Sequence, residues 1–228
     1  MKAALLSGLL LLACAAAPAA AASGAPSAHT PNERAALVER LADLAGGPSR
    51  QALEAAVDAY ESATRLGEVA RTDLLTVIDY TRPSTEPRLW VLDLDLGRIL
   101  YRELVAHGRG SGDNLTRAFS NAPGSLMTSL GLFVTDAPYV GQNGYSLRLR
   151  GLEPGVNDKA FERAIVVHGA PYVSESVAAR LGRLGRSWGC PAVRLDVART
   201  LIDTIKGGTA LYAFGGPSSN TGAPHTAP

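Results

Sequence analysis

Thiols are scarce in this chain. It holds two cysteines, Cys14 and Cys190, and Cys14 falls in a leader-like stretch, so the domain has one thiol left and no internal disulfide to staple it. Long basic runs are missing as well: with a formal net charge of +1, the chain has no electrostatic footprint for nucleic acid. After the leader no apolar run approaches the roughly 20 residues that a membrane span needs. There is no Cys-x-x-Cys, no His-Glu-x-x-His and no tight His/Asp cluster, so neither a zinc site nor any other cofactor is indicated.

What is present begins with that leader. Lys2, the apolar stretch Leu5 to Ala17 and Ala20-Ala21-Ala22 before Ser23 form an export signal over residues 1–22. Leu11-Leu12-Ala13-Cys14 resembles a bacterial lipobox, so two outcomes stand open: cleavage near Ala22, or a lipid anchor through Cys14. Either one predicts a protein of the periplasm or cell envelope.

Residues 23–32 and 215–228 are rich in Ser, Gly, Pro, Thr and Ala and read as a flexible linker and tail. Between them lies enough chain for one domain with a real core. Residues 33–70 predict a helical hairpin, with Leu37, Leu41 and Leu44 on one stripe and Leu53, Val57 and Tyr60 on the next. Gly46-Gly47 ends the first helix, and Pro48 fits the first turn of the second. Over residues 71–214 the period shortens to that of strands, at Leu74–Ile78, Leu89–Leu92, Ile99–Tyr101, Gly131–Thr135, Tyr145–Leu149, Ala164–Val167 and Thr209–Phe214. The first three form a meander, and the set predicts an antiparallel sandwich or barrel-like sheet. Val197, Leu201 and Ile205 mark one late helix, about Asp196 to Lys206. The fold class is β-rich α+β.

Cys190 sits in Gly185-Arg186-Ser187-Trp188-Gly189-Cys190-Pro191. A glycine before it and a proline after it suit a constrained turn that displays the thiol better than a core strand or helix. A free thiol has a pKa of about 8.5 and needs a neighbouring base to react reliably. His168 is the candidate base, because it ends the apolar run Ile165-Val166-Val167 at a strand's rim and is followed by Gly169. Of the four histidines, only His225 follows Cys190, in the tail. That order disfavours papain-like enzymes, in which the nucleophile precedes its histidine.

Thr128-Ser129-Leu130-Gly131-Leu132-Phe133, Ile165-Val166-Val167-His168-Gly169 and Ser187-Trp188-Gly189-Cys190-Pro191 resemble the murein L,D-transpeptidase catalytic-domain family over roughly residues 74–214. Val105-Ala106-His107-Gly108 and Phe119 to Ser125 are similar to the branch whose cysteine precedes a proline. The resemblance implies an L,D-transpeptidase-like sandwich or barrel that acts on peptidoglycan stem peptides through an acyl-enzyme on Cys190. His168 would serve as base, oriented by the carbonyl of Gly169 or Ala170. Backbone N–H groups of Gly189 and Cys190 are natural oxyanion donors, and Ser187 either bonds the imidazole or fixes the turn.

Two positions depart from the wider family. Trp188 replaces a second histidine, and Arg194 stands four residues beyond the cysteine. Trp188 is either an apolar wall for the stem or an anchor for the loop. Arg186 and Arg194 are either clamps for a substrate carboxylate or solvated charges. His107 is either a neighbour of the site or a turn residue. Two further functions stay open, a hydrolase on the same scaffold (L,D-carboxypeptidase or endopeptidase) and a non-catalytic envelope-binding lipoprotein.

Overall fold

The computed structural model describes residues 30–216; the leader, Cys14, most of the linker, His225 and the tail from residue 217 lie outside the described residues. Helix α1 (Pro31–Ala42) begins earlier than the composition suggests, because Thr30 and Glu33 form a reciprocal capping box with Pro31 in the first turn. Residues 31 and 32 are therefore helix and not linker. Helix α2 (Arg50–Arg65) is capped by Ser49, whose side chain accepts from the Ala52 N–H. The cap leaves Pro48 outside the helix, not in its first turn.

Eight strands follow in one mixed sheet, with β1 (Leu74–Asp79), β2 (Leu89–Asp93), β3 (Arg98–Glu103), β4 (Gly131–Gly141), β5 (Gly144–Gly151), β6 (Val166–Gly169), β7 (Ala192–Val193) and β8 (Ala210–Phe214). Their order is β3-β2-β1-β8-β4-β5-β6-β7. The Ala106 N–H donates to the Ala192 carbonyl at 2.8 Å, so the stretch after β3 meets the opposite edge strand and the sheet nearly closes into a barrel. The sheet is not purely antiparallel: β1 pairs with β8, and β6 with β7, in parallel. The meander β1-β2-β3 is antiparallel, as the alternation predicts.

Alternate residues of the central strands feed two apolar layers, the period of two that a pleated sheet imposes. Leu75, Val77, Trp90, Leu92, Leu132, Val134 and Tyr212 face the α1–α2 hairpin, where they meet Leu37, Leu41, Leu53, Val57 and Tyr60. Ile78, Leu89, Val91, Phe133, Leu147 and Leu211 face the other way and meet Leu201, Ile202 and Ile205 of helix α4 (Leu195–Ile205). The Trp90 indole N–H donates to the Gly46 carbonyl at 2.8 Å, and the Ser49 hydroxyl to Asp79 at 2.7 Å. These bonds fix the hairpin as a brace on the sheet. A short helix, α3 (Glu175–Leu181), lies between β6 and β7.

Candidate active site

The parallel pairing of β6 with β7 brings the predicted residues together. His168 is in register with Ala192, and its N–H donates to the Pro191 carbonyl at 3.4 Å. Cys190, two positions before Ala192, therefore lies level with Val166, and the Val166 N–H donates to the cysteine sulfur at 3.5 Å. The thiol in turn donates to the Ala164 carbonyl, also at 3.5 Å. Thiol and imidazole thus belong to adjacent chain segments, offset by two residues.

The sulfur is less displayed than the glycine-proline setting predicts. Cys190 is 9% exposed and packs with Ile165, Val166 and Val193. The turn does form, but the segment before β6 folds over the thiol. Ala164, at φ +53, takes a left-handed conformation that aims its carbonyl at the sulfur. Burial pushes the Cys190 thiol above its ordinary range, and the Val166 N–H and the Arg163 guanidinium pull partly back.

His168 is buried, and its Nδ1 lies 3.1 Å from the Gly169 carbonyl. A carbonyl only accepts, so Nδ1 carries the proton and Nε2 keeps its lone pair. Burial holds the imidazole below its ordinary pKa, with the Gly169 bond opposing. Near neutral pH both groups are uncharged, the cysteine a thiol and the histidine a neutral imidazole with a free lone pair on Nε2.

The turn before the thiol is fastened from beneath. The Ser187 hydroxyl donates to the Cys190 carbonyl at 2.6 Å and accepts from the Gly189 N–H at 3.1 Å. Ser187 is thus a turn brace, bonded away from the imidazole, and the Gly189 N–H is already engaged and is not a free oxyanion donor. Gly189 has φ +127, and a Cβ there would stand 2.7 Å from the Met127 carbonyl. A Cβ on Gly108 would come within 2.4 Å of the Leu126 carbonyl and 2.9 Å of the Gly189 Cα. Three backbone segments meet there at a distance only glycine permits.

The remaining predicted residues divide. Trp188 is 72% exposed, so it does not anchor the loop in the core; its indole projects beside the thiol turn. Arg186 ties that turn to the Gly112 carbonyl and the Asp113 carboxylate. Arg194 grips Glu103 with two nitrogens at 3.0 and 3.2 Å, which occupies the fork a substrate carboxylate would need. His107 is buried and structural. Its Nδ1 accepts from Arg88 at 2.7 Å, its Nε2–H donates to the Gly112 carbonyl, and burial beside Arg88 pushes it down to about 4. Its own carbonyl accepts from the Ser187 N–H at 3.0 Å, so it supports the turn from below.

Arg163 belongs to the site although no sequence motif marks it. Its guanidinium bonds Ser129, Ser125 and the Met127 carbonyl beneath the thiol turn. A cleft of about 490 Å³ opens beyond the carboxyl end of β6, lined by Ala170, Ser174, Glu175, Arg194 and Asp196 among others, and it includes neither Cys190 nor His168.

A family model described as the L,D-transpeptidase catalytic domain matches residues 45–214, most of the described chain. The chain belongs to the L,D-transpeptidase catalytic-domain family. The match starts at residue 45 and so takes in α2 as well as the sheet. Among curated proteins nothing matches. Solved structures resembling this L,D-transpeptidase-family domain include an L,D-transpeptidase from Mycobacterium smegmatis, at 15% identity and TM-score 0.39 over 62% of this chain and 58% of that one. Another is an L,D-transpeptidase from Xylanimonas cellulosilytica, residues 123–326, at 18% identity and TM-score 0.35 over 86% of this chain and all of that one. A third is the helical cell shape determining protein Pgp2 from Campylobacter jejuni, at 11% identity and TM-score 0.40 over 79% of this chain and 54% of that one. The chain thus spans a little over half the length of the M. smegmatis enzyme. Family membership rests on the domain model; these looser likenesses add nothing to it.

Proposed function

We propose that this protein is an exported L,D-transpeptidase that remodels peptidoglycan by cysteine-dependent acyl transfer. The observation that carries the reading is the β6–β7 pairing, which puts the Cys190 thiol and the His168 imidazole on neighbouring segments, both uncharged.

In the first half-reaction His168 Nε2 takes the thiol proton as the sulfur attacks the carbonyl between an L-centre and a D-residue of a stem peptide. The tetrahedral oxyanion needs a donor already in place. The Cys190 N–H suits that role, because the Gly189 N–H is committed to Ser187. Collapse breaks the peptide C–N bond, and His168 returns its proton to the departing D-amino acid, leaving a thioester on Cys190. In the second half-reaction the imidazole takes a proton from an incoming amine, commonly a diaminopimelate side chain of a neighbouring stem. That amine displaces the sulfur, which recovers its proton from His168.

The uncharged resting pair fits this sequence, since proton transfer accompanies attack and no standing thiolate is required. Trp188, exposed beside the thiol turn, supports the reading as an apolar wall for the stem. The leader over residues 1–22 supports export to the cell envelope, with lipid attachment at Cys14 the alternative to cleavage near Ala22. Incubation with purified muropeptides followed by mass analysis tests the reading. New cross-links support transpeptidation, trimmed stems or cut links show a hydrolase, and unchanged substrate contradicts both.

A further inference from the structure

Arg163 leaves the β5–β6 connection immediately before the strand that carries His168. Its guanidinium donates to the Ser120 carbonyl at 2.7 Å, the Met127 carbonyl at 2.6 Å, the Ser129 hydroxyl and the Ser125 hydroxyl. All four acceptors are uncharged, all lie between residues 120 and 129, and no salt bridge to Arg163 forms among the described residues. Its Nη2 lies 3.3 Å from where a Cβ on Gly189 would stand, directly under the residue that precedes the thiol. The next residue, Ala164, is held at φ +53, a conformation that side-chain-bearing residues enter only when their surroundings impose it. That single turn sends the guanidinium beneath the loop and the Ala164 carbonyl toward the sulfur.

Tyr80, Tyr172 and His168, titratable groups near Cys190, are neutral near pH 7. Tyr80, after β1, is held above its ordinary pKa by burial first and by the cysteine's own charge in addition. Tyr172, after β6, is pushed up to about 12 for the same two reasons. His168, on β6, is held down by burial. Arg163 stays charged there, half-buried and without a carboxylate partner among the described residues.

We propose that Arg163 is the positioning cation of this site: its fork holds the 120–129 segment beneath the thiol turn, and its charge balances the negative charge that the Cys190 sulfur gains on giving up its proton. The inference rests on the reading of Cys190 as nucleophile. It assigns the two tasks to different features of one side chain, the planar fork to positioning and the charge to the sulfur.

Arg163→Gln and Arg163→Lys separate those tasks. The full chain is alkylated with iodoacetamide from about pH 6 to about pH 10, and the Cys190 peptide is followed by mass so that Cys14 does not interfere. Arg163→Gln is expected to raise the apparent pKa of Cys190 by about one pH unit or more and to slow carbapenem acylation about tenfold. Arg163→Lys is expected to lose part of the thermal midpoint, because its ammonium cannot serve four acceptors, yet to keep a near-wild-type thiol titration. Arg163→Gln titrating like wild type, or both variants shifted equally, would overturn the charge role. If Arg163→Gln does not fold, Arg163→Lys decides alone: a thiol pKa within about half a unit of wild type supports the proposal, and a rise of a full unit contradicts it. Wild-type protein that no carbapenem acylates refutes the nucleophile reading itself. Wild type that is acylated while the variants match it refutes only the role of Arg163.

Discussion

The Val166 N–H points at the Cys190 sulfur across 3.5 Å, and His168 stands two residues further along the same strand. The geometry of one parallel strand pair therefore sets both the cradle of the thiol and the position of the imidazole.

If His168 Nε2 takes the thiol proton, His168→Ala should slow carbapenem acylation by about a hundredfold or more. The fold should survive, because the side chain contributes one hydrogen bond, to Gly169, worth about 1 kcal/mol. The imidazole pKa lies below 6.5, so wild-type acylation should fall off only at pH values under that figure. Stopped-flow acylation across pH with circular dichroism on the variant checks both points. Wild-type rates in the variant would remove His168 from the mechanism.

Acid sensitivity of the fold should come largely from His107. Its pKa is about 4 in the folded chain against 6.5 for the free group, so between those values the unfolded chain binds a proton that the folded chain refuses. Stability contributed by the neutral ring is therefore complete above pH 6.5 and drains away as pH falls toward 4, on the order of 3 kcal/mol in all. His107→Asn, which retains one donor and one acceptor, should be less stable at neutral pH but flatter across this window. Thermal midpoints at stepped pH read the difference, and parallel curves for the two proteins would contradict it.

Trp188→Ala separates a wall for substrate from a structural anchor. An indole 72% exposed contributes little to folding, so stability should move by no more than about 0.5 kcal/mol. Acylation at low substrate should fall several-fold through a weaker KM, with the maximal rate nearly kept. A large drop in thermal midpoint with unchanged kinetics would be the opposite result.

Ser187→Ala strips one bond from each side of the thiol turn. The buried Gly189 N–H and Cys190 carbonyl both lose their partner, at a cost of about 1–3 kcal/mol. The variant should unfold earlier and acylate slowly, because the Cys190 N–H is no longer held in place. Normal kinetics with reduced stability would confine Ser187 to folding.

The strand alternation was legible because it depends on local pattern, and residue chemistry alone singles out His168 and Cys190, which the fold sets on neighbouring segments. Leu75, Val77, Trp90 and Leu92 announce one face of the sheet, and Leu201 and Ile205 the face of α4. Other features carry a local signal of their own. Thr30 and Glu33 are a capping box, and Asn143-Gly144 closes the β4–β5 hairpin, with Gly144 at φ +72. A third group had none to offer. β7 is two residues long and exists only because distant β6 pairs with it. The left-handed Ala164 is imposed by tertiary packing, since alanine has no intrinsic preference for that conformation. The burial of Cys190 and the placement of Arg163 both follow from that turn, which is why the thiol looked more open in the sequence than it is.

Intact mass followed by peptide mapping, after the full chain is incubated with a carbapenem, bears most directly on Cys190 as the nucleophile. The expected result is one covalent adduct on the Cys190 peptide, absent from Cys190→Ala and slowed in His168→Ala. An unmodified mass after prolonged incubation, or an adduct that persists in Cys190→Ala, would contradict it.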